Sequence, residues 1–161
     1  MAMAKIFSPD AVIVTPCTLL GLGEQAGQLN RVVFLPAGTA LKAPQSVLLK
    51  ETTAQLAAYF ADAGFCFNLP LAAAASVFQR QVRQQLLQIG VGERKTYGEL
   101  AKNLASAPRA IGQACRFNPL PVIIPCHRVV AAKAVGGFNG QREGASLDIK
   151  YYLLKHEAVG S

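Results

Sequence analysis

Pro119, Pro121 and Pro125 crowd the segment Asn118-Pro-Leu-Pro-Val-Ile-Ile-Pro-Cys-His-Arg-Val-Val130, which carries a cysteine and a histidine side by side. No regular helix or central strand can run through it. Each proline locks φ, removes an amide donor and biases the residue before it away from the helical region. The chain must build its regular structure on either side and present Cys126 and His127 from a stiffened, irregular stretch. A free thiol is mostly protonated at neutral pH and reacts as its thiolate. A neighbouring imidazole, directly or through a water, can take that proton. At this level the pair suits a cysteine hydrolase, a redox sensor or a group-transfer protein.

The half before this segment reads as strands. Residues 11–14, 17–22 and 29–35 are short apolar runs, and Gly-Glu-Gln-Ala-Gly at 23–27 suits a hairpin turn. A Pro- and Gly-rich loop over 36–44 leads to a helix expected over 46–61. There Leu49, Leu56 and Phe60 fall near helical spacing, and Gly64 is expected to end the helix. Cys17 and Cys66 lie in apolar surroundings and are expected to be inert core thiols. This half offers no chemistry and reads as scaffold. Residues 68–75 read as a linker, giving a scaffold lobe at 1–74 and a functional lobe at 75–161.

The second half is helical in pattern. Ser76 and Gln79 have the form of a capping box, and Phe78, Val82, Leu86 and Ile89 then form an amphipathic stripe that Gly90 and Gly92 stop. A second box, Thr96-Tyr-Gly-Glu99, starts a short helix that runs out near Ala105. Pro108 suits the first position of the next, which continues to Arg116. Two short helices joined by a tight turn suggest a helix-turn-helix. Charge placement supports this. Of 16 basic residues against 9 acidic, Arg80, Arg83, Arg94, Lys95, Lys102, Arg109 and Arg116 cluster here against only Glu93 and Glu99, which favours a polyanionic partner. The glycine-rich stretch 135–140 lacks the spacing of a phosphate loop; it suits close approach to a flat ligand, or a turn. A last helix is expected over 147–157, with Asp148 near its start, Lys155 near its end and His156 at the surface.

Composition excludes several classes. At 52% hydrophobic residues a packed core is expected rather than disorder. No apolar run is long enough to span a bilayer, and the N-terminus makes a poor signal peptide, so a cytoplasmic protein is expected. The four cysteines form no Cys-x-x-Cys pair, and only His127 and His156 are available as imidazoles. Neither a disulfide framework nor a metal site is expected.

Pro125-Cys-His-Arg-Val129 is a rare string, and through it the sequence resembles the O6-alkylguanine-DNA alkyltransferases, also called methylated-DNA–protein-cysteine methyltransferases. Phe78-Gln79, Gly92-Glu93, Thr96-Tyr-Gly-Glu-Leu-Ala101, Asn118-Pro-Leu-Pro121 and Leu153-Leu-Lys-His-Glu157 resemble that family's pattern in the same order. The likeness covers residues 56–157, weakly before 78. It implies an α/β N-terminal lobe, a small antiparallel sheet plus helix, and a mainly helical C-terminal lobe containing a winged helix-turn-helix. The implied function is DNA repair by direct reversal. A flipped O6-alkylguanine, with O4-alkylthymine as a second candidate, would give its alkyl group irreversibly to Cys126. The expected partner is double-stranded DNA, bound from the minor groove with low sequence preference by a monomer that needs no cofactor.

The resemblance also implies roles. Cys126 is similar to the family's alkyl acceptor, His127 to the base that acts through a water, Glu157 to the carboxylate orienting it, and Asn118 to the asparagine shaping the turn. Tyr97 matches a donor to N3 of the leaving guanine, and Arg109 the arginine that enters the base stack. Ala110, Gly112 and Ala114 match the small residues of a helix lying against DNA, with Arg116 at its end. Val129, Val135, Gly136, Phe138, Asn139 and Gly140 are expected to line the alkyl pocket. Phe138 stands where the family often has tyrosine, and the loop at 141–146 is longer than usual. Arg128 suits either a phosphate contact or a buried salt bridge. Two alternatives are a lesion sensor that does not repair, against which Cys126 argues, and a helix-turn-helix regulator with an alkylation-sensing cysteine.

Overall fold

The computed structural model describes residues 7–132 and 145–160. Three antiparallel strands, β1 (Ala11–Val14), β2 (Leu19–Gln25) and β3 (Gln28–Leu35), form a sheet in the order β1-β2-β3. The hairpin is tighter than the sequence suggested. Pairing runs to Gln25↔Gln28, leaving Ala26 and Gly27 as the turn, at φ 53° and 76°. Two left-handed residues match the right-handed twist of the flanking strands, so the register holds to the tip. Gly23 instead sits at a register shift within the ladder.

Helix α1 (Val47–Ala61) is capped by Ser46, whose hydroxyl accepts from the Leu49 amide. Its buried face is Leu49, Thr52, Gln55, Leu56 and Tyr59. Phe60, predicted for that face, is only half-buried. Gly64 is not the cap. The helix ends at Ala61, Asp62 turns extended, and the Asp62 amide bonds the Ala58 carbonyl. Residues 65–69 then alternate, with Phe65, Phe67 and Leu69 turned inward and Cys66 outward. Cys66 is therefore exposed and Cys17 only half-buried; neither is the core thiol expected. The stretch expected as a linker is pinned down. The Leu29 amide bonds Pro70 O, the Ala72 amide bonds Leu29 O, and Arg83 Nη1 reaches Ala72 O at 2.7 Å.

Beyond it come α2 (Val77–Leu87), α3 (Tyr97–Asn103), α4 (Pro108–Arg116) and α5 (Ala145–Gly160). Ser76 supplies the serine half of a box on α2; Thr96 and Glu99 complete both halves on α3. Between α3 and α4 the Ser106 amide bonds Ala101 O and the Ala105 amide bonds Lys102 O, with Ala105 at φ 50°. This is a Schellman stop with alanine in the place glycine usually takes. Pro108 opens α4 as expected. Two short parallel strands, β4 (Lys95–Thr96) and β5 (Val129–Val130), fasten the start of α3 to the residues just past the cysteine.

One core joins the two halves. Leu20, Leu22, Leu29, Leu49 and Leu56 belong to the same buried cluster as Leu86, Leu100, Ile111, Leu120, Ile124 and Leu153. The Val32 amide on β3 donates to Pro119 O at 2.9 Å, so the sheet edge grips the proline segment. No helix among the described residues is long and apolar enough to cross a membrane.

Candidate active site and nucleic-acid interface

The proline segment folds into a turn that Asn118 closes at both ends. Its Oδ1 accepts from the Leu120 amide at 3.1 Å, and its Nδ2 donates to Ile124 O at 3.0 Å. Inside the turn Val122 sits at φ 73°, a left-handed conformation that costs a β-branched residue of order 1–3 kcal/mol. The side chain is 2% exposed, so packing holds it there. The turn delivers Cys126, His127 and Arg128 as one 3-10 turn, with Cys126 and His127 buried.

From α5, Glu157 meets this turn at 1% exposure. Its Oε2 lies 3.0 Å from His127 Nε2 and accepts from Arg128 Nη2 at 2.7 Å and from the Tyr59 hydroxyl at 2.9 Å. Its Oε1 accepts from Arg128 Nε at 2.9 Å. Arg128 also donates to Ile89 O. Burial alone would raise the Glu157 pKa, but the hydrogen bonds from His127 and Arg128 outweigh it and bring it to about 2. The carboxylate is thus an acceptor throughout the physiological range. His127 Nε2 must carry the proton of that contact, which leaves Nδ1 with a bare lone pair. Nδ1 is buried and has no hydrogen-bond partner among the described residues. Burial also lowers the His127 pKa, aided by the cations Arg128 and Lys150 and opposed by Glu157, so the imidazole is neutral.

The thiol precedes that imidazole by one position in the same 3-10 turn. Burial raises the Cys126 pKa, and a hydrogen bond from Asn118 and the charge of Lys150 only partly offset it. Cys126 rests protonated next to a neutral base. Lys150, on α5, is fully buried, donates to Val129 O at 2.7 Å and lies 5.8 Å from the centre of the Tyr97 ring. Burial lowers its pKa to about 8. Tyr97 is half-buried at the start of α3; burial, then the nearby Cys115 and Cys126, push its hydroxyl up to about 12.

Helix α4 presents a different surface. Arg109, Gly112, Gln113 and Arg116 recur at helical spacing, with the arginines and Gln113 exposed and Gly112 half-exposed. A Cβ built on Gly112 meets nothing within 4 Å. Nothing among the described residues requires glycine there, although mid-helix glycine costs roughly 0.5–1 kcal/mol against alanine. Arg116 lies 5.6 Å from the ring of the exposed Phe117. Ala110 is half-buried. Ala114 is a correction: it is 4% exposed and packs into the core beside Ile111, so its small size serves the helix interface. Arg83 likewise leaves the basic surface, because its guanidinium holds Ala72.

The structure brings Asn118, Cys126, His127, Glu157 and Tyr97 around one buried centre and sets Arg109, Gly112 and Arg116 on a separate outer face. Val129 is fully buried beside the centre. Val135, Gly136, Phe138, Asn139, Gly140 and the loop at 141–144 lie outside the described residues. Of the two readings for Arg128, the geometry realises the salt bridge. His156 is not a plain surface residue: its Nε2 lies 2.8 Å from Tyr59 O and its ring stacks on Tyr152. Sequence reasoning missed Tyr59, Lys150 and Gln113. Lys150 was within reach, because Lys150, Leu153, Leu154 and Glu157 fall on one stripe of α5 and all four are buried.

The family model described as "6-O-methylguanine DNA methyltransferase, DNA binding domain" matches residues 77–159. A methylated-DNA–protein-cysteine methyltransferase of Methanosarcina acetivorans is 39% identical over 146 residues, which cover 86% of this chain and 90% of that protein. Its namesake from Archaeoglobus fulgidus is 38% identical over 142 residues, 83% of this chain and 95% of that protein. Among solved structures, that of Mycobacterium tuberculosis OGT in complex with DNA is similar at a TM-score of 0.76 and 30% identity, covering 93% of this chain and 92% of that one.

Proposed function

This chain belongs to the methylated-DNA–protein-cysteine methyltransferase family, and we propose that Cys126 is its alkyl acceptor, with the buried centre and the outer face of α4 dividing the work. The protein repairs DNA by direct reversal, as a transferase that consumes itself. One observation carries the assignment of roles: a buried neutral imidazole whose Nδ1 has no partner among the described residues, next in the chain to a buried protonated thiol.

In this reading the Cys126 thiol proton passes through a bridging water to His127 Nδ1. The imidazolium that forms is stabilised by Glu157 across the 3.0 Å contact. The thiolate attacks the O6-alkyl carbon in line. A carbon–sulfur bond forms, the carbon–O6 bond breaks, and its electron pair stays on guanine. Tyr97, an obligate donor at neutral pH, offers its hydroxyl to N3 of that leaving group. The thioether is not cleaved again, so each chain acts once and needs no cofactor. Asn118 keeps the turn, and with it the thiol, in position.

Guanine O6 lies out of a thiol's reach inside a duplex, so the base must be flipped, at a cost of a few kcal/mol. α3 and α4 form the helix-turn-helix, with β4 and β5 beside it. Arg109 enters the stack, Arg116 neutralises phosphate, and Gly112 with Ala110 lets the α4 backbone approach the minor groove. Such contacts carry little base information, which fits low sequence preference. The protein acts as a cytoplasmic monomer, with a scaffold lobe at 1–74 and the DNA-binding lobe at 75–161. Selection among alkyl adducts is assigned to Val129 together with Val135, Gly136, Phe138, Asn139 and Gly140, of which only Val129 is among the described residues.

Incubation with a duplex containing O6-methylguanine should leave one methyl group on the tryptic peptide carrying Cys126, read by mass spectrometry, with unmodified guanine restored. An unmethylated Cys126 peptide beside consumed or intact substrate refutes the assignment. Arg109→Ala should slow transfer to a paired lesion far more than to free O6-benzylguanine, because only the former needs flipping.

A further inference from the structure

We propose that the first lobe is part of the catalytic apparatus: Tyr59 of α1 is a positioning residue that holds Glu157 and, through it, sets the orientation and basicity of His127. The inference rests on the reading of Cys126 and His127 above and extends it to a residue 98 positions away from its partner in the chain.

Tyr59 is 1% exposed, and its hydroxyl donates to the same oxygen, Glu157 Oε2, that His127 Nε2 faces. Burial and the adjacent carboxylate both drive the phenol's pKa up, so it stays a donor at every working pH. The rest of Tyr59 is immobilised. Its ring packs on Phe60, Phe67 and His156 at 5.1, 5.5 and 5.2 Å, and its carbonyl lies 2.8 Å from His156 Nε2. Glu157 is therefore fixed from two sides, by Arg128 of its own site and by a helix of the other half. The Val32–Pro119 hydrogen bond is a second grip of the first half on the cysteine turn.

Sharing one oxygen has a chemical consequence. Charge on Oε2 withdrawn by the phenol is not available to the imidazole, so Tyr59 weakens the pull of Glu157 on the Nε2 proton. The charged and titratable groups around this pair are Arg128 beside Glu157, Lys150 of α5 acting on His127, Cys17 before β2 acting on Tyr59, and His156 behind the Tyr59 ring. Removal of the hydroxyl alone should leave Glu157 more basic toward His127, raise the pH at which His127 protonates, and loosen its aim.

The test is single-turnover methyl transfer followed against pH. Tyr59→Phe should transfer about three- to tenfold more slowly at pH 8, with the acid limb of the profile moved up by about half a unit, a fraction of what one hydrogen bond to a charged group contributes, because the effect reaches His127 only through Glu157. Site-specific 3-fluorotyrosine at position 59, a stronger donor of nearly the same shape, should move that limb down. Phe67→Leu, which disturbs the packing without touching the hydroxyl, should lower thermal stability and leave the limb where it is. An unmoved limb in folded Tyr59→Phe overturns the proposal. Should that variant not fold, the fluorotyrosine protein decides, and an unmoved or upward limb there overturns it equally. Methylation of Cys126 in the unaltered protein, measured in parallel, separates failure of this inference from failure of the reading beneath it.

Discussion

Glu157 and Arg109 are both charged residues on helices of the same half of the chain, and their surroundings are opposites. Glu157 is 1% exposed and accepts from Tyr59, Arg128 and His127, each from a different direction. Arg109 is exposed, and so are Gln113 and Arg116 on its stripe. In the proposed function this difference separates chemistry from recognition. A group that must steer a proton is worth most where its partners are fixed and water is excluded. A group that must meet an irregular polyanion is worth most where its partner is still to come. The inner region is tightly determined and the outer face is left open.

The sharpest way to break this contrast is to remove the inner charge. Glu157→Gln keeps the shape but leaves the Arg128 guanidinium, 13% exposed, against a neutral amide. Breaking one side of a buried pair typically costs 3–5 kcal/mol, so a loss of about 3 kcal/mol in denaturant unfolding is expected, with transfer slowed about a hundredfold. A stability change below about 1 kcal/mol would place the carboxylate among ordinary surface ion pairs and erase the distinction. Arg109→Ala, by comparison, should leave the unfolding midpoint unchanged.

The same contrast predicts acid sensitivity from the inside. The folded pKa of His127 lies below its ordinary 6.5, so the unfolded chain takes up that proton first. The His127 contribution is then complete above pH 6.5 and declines below it. Glu157 adds a second decline, between its ordinary 4.5 and the folded value of about 2. Urea midpoints measured across the pH range should fall in these two windows, and Glu157→Gln should abolish the lower one. A lower window that persists in Glu157→Gln would assign it to other carboxylates.

How much of this was legible in the sequence depends on distance along the chain. The caps at Ser76 and Thr96 and proline at the start of α4 are settled within a few residues, and each is where local rules put it; the Ser46 cap is as local but was not named, and the Asn118 turn came from family resemblance. The strands were found, but a two-residue turn at Ala26–Gly27 needs only one glycine and hid inside a longer glycine-flanked string. The assignment of Ala114 to the DNA face failed because smallness serves close packing on either side of a helix. Tyr59 could not be read at all. Its partner lies 98 residues on, and no local pattern marks a tyrosine whose hydroxyl will meet a carboxylate. Family resemblance named Glu157 but not what holds it.

On the outer face the contrast predicts a trade of opposite signs. A Cβ at Gly112 has open space, so Gly112→Ala should stabilise the free protein by roughly 0.5–1 kcal/mol through helix propensity. The same methyl group would stand between the α4 backbone and DNA, so affinity for duplex should fall severalfold, measured by fluorescence anisotropy at fixed salt. Unchanged affinity would mean that the glycine is not there for a partner.

The smallest effect compares two residues with the same backbone problem. Ala105 and Val122 both sit in the left-handed region, at φ 50° and 73°. Ala105 is exposed in the turn between α3 and α4, where its side chain contributes nothing that glycine would forfeit. Ala105→Gly should therefore relieve strain and raise stability by about 0.5 kcal/mol, with the gain in unfolded-state entropy taking back part of the relief. Val122 is buried in the active-site turn, and replacing it with glycine would forfeit roughly 1.5–3 kcal/mol of buried side chain against a strain of similar or smaller size. Val122→Gly should destabilise, and it should also slow transfer, because the turn that aims Cys126 would lose the packing that holds it. If both substitutions instead stabilise, Val122 is strained without structural return, and the inner region is less tightly determined than its hydrogen bonds suggest.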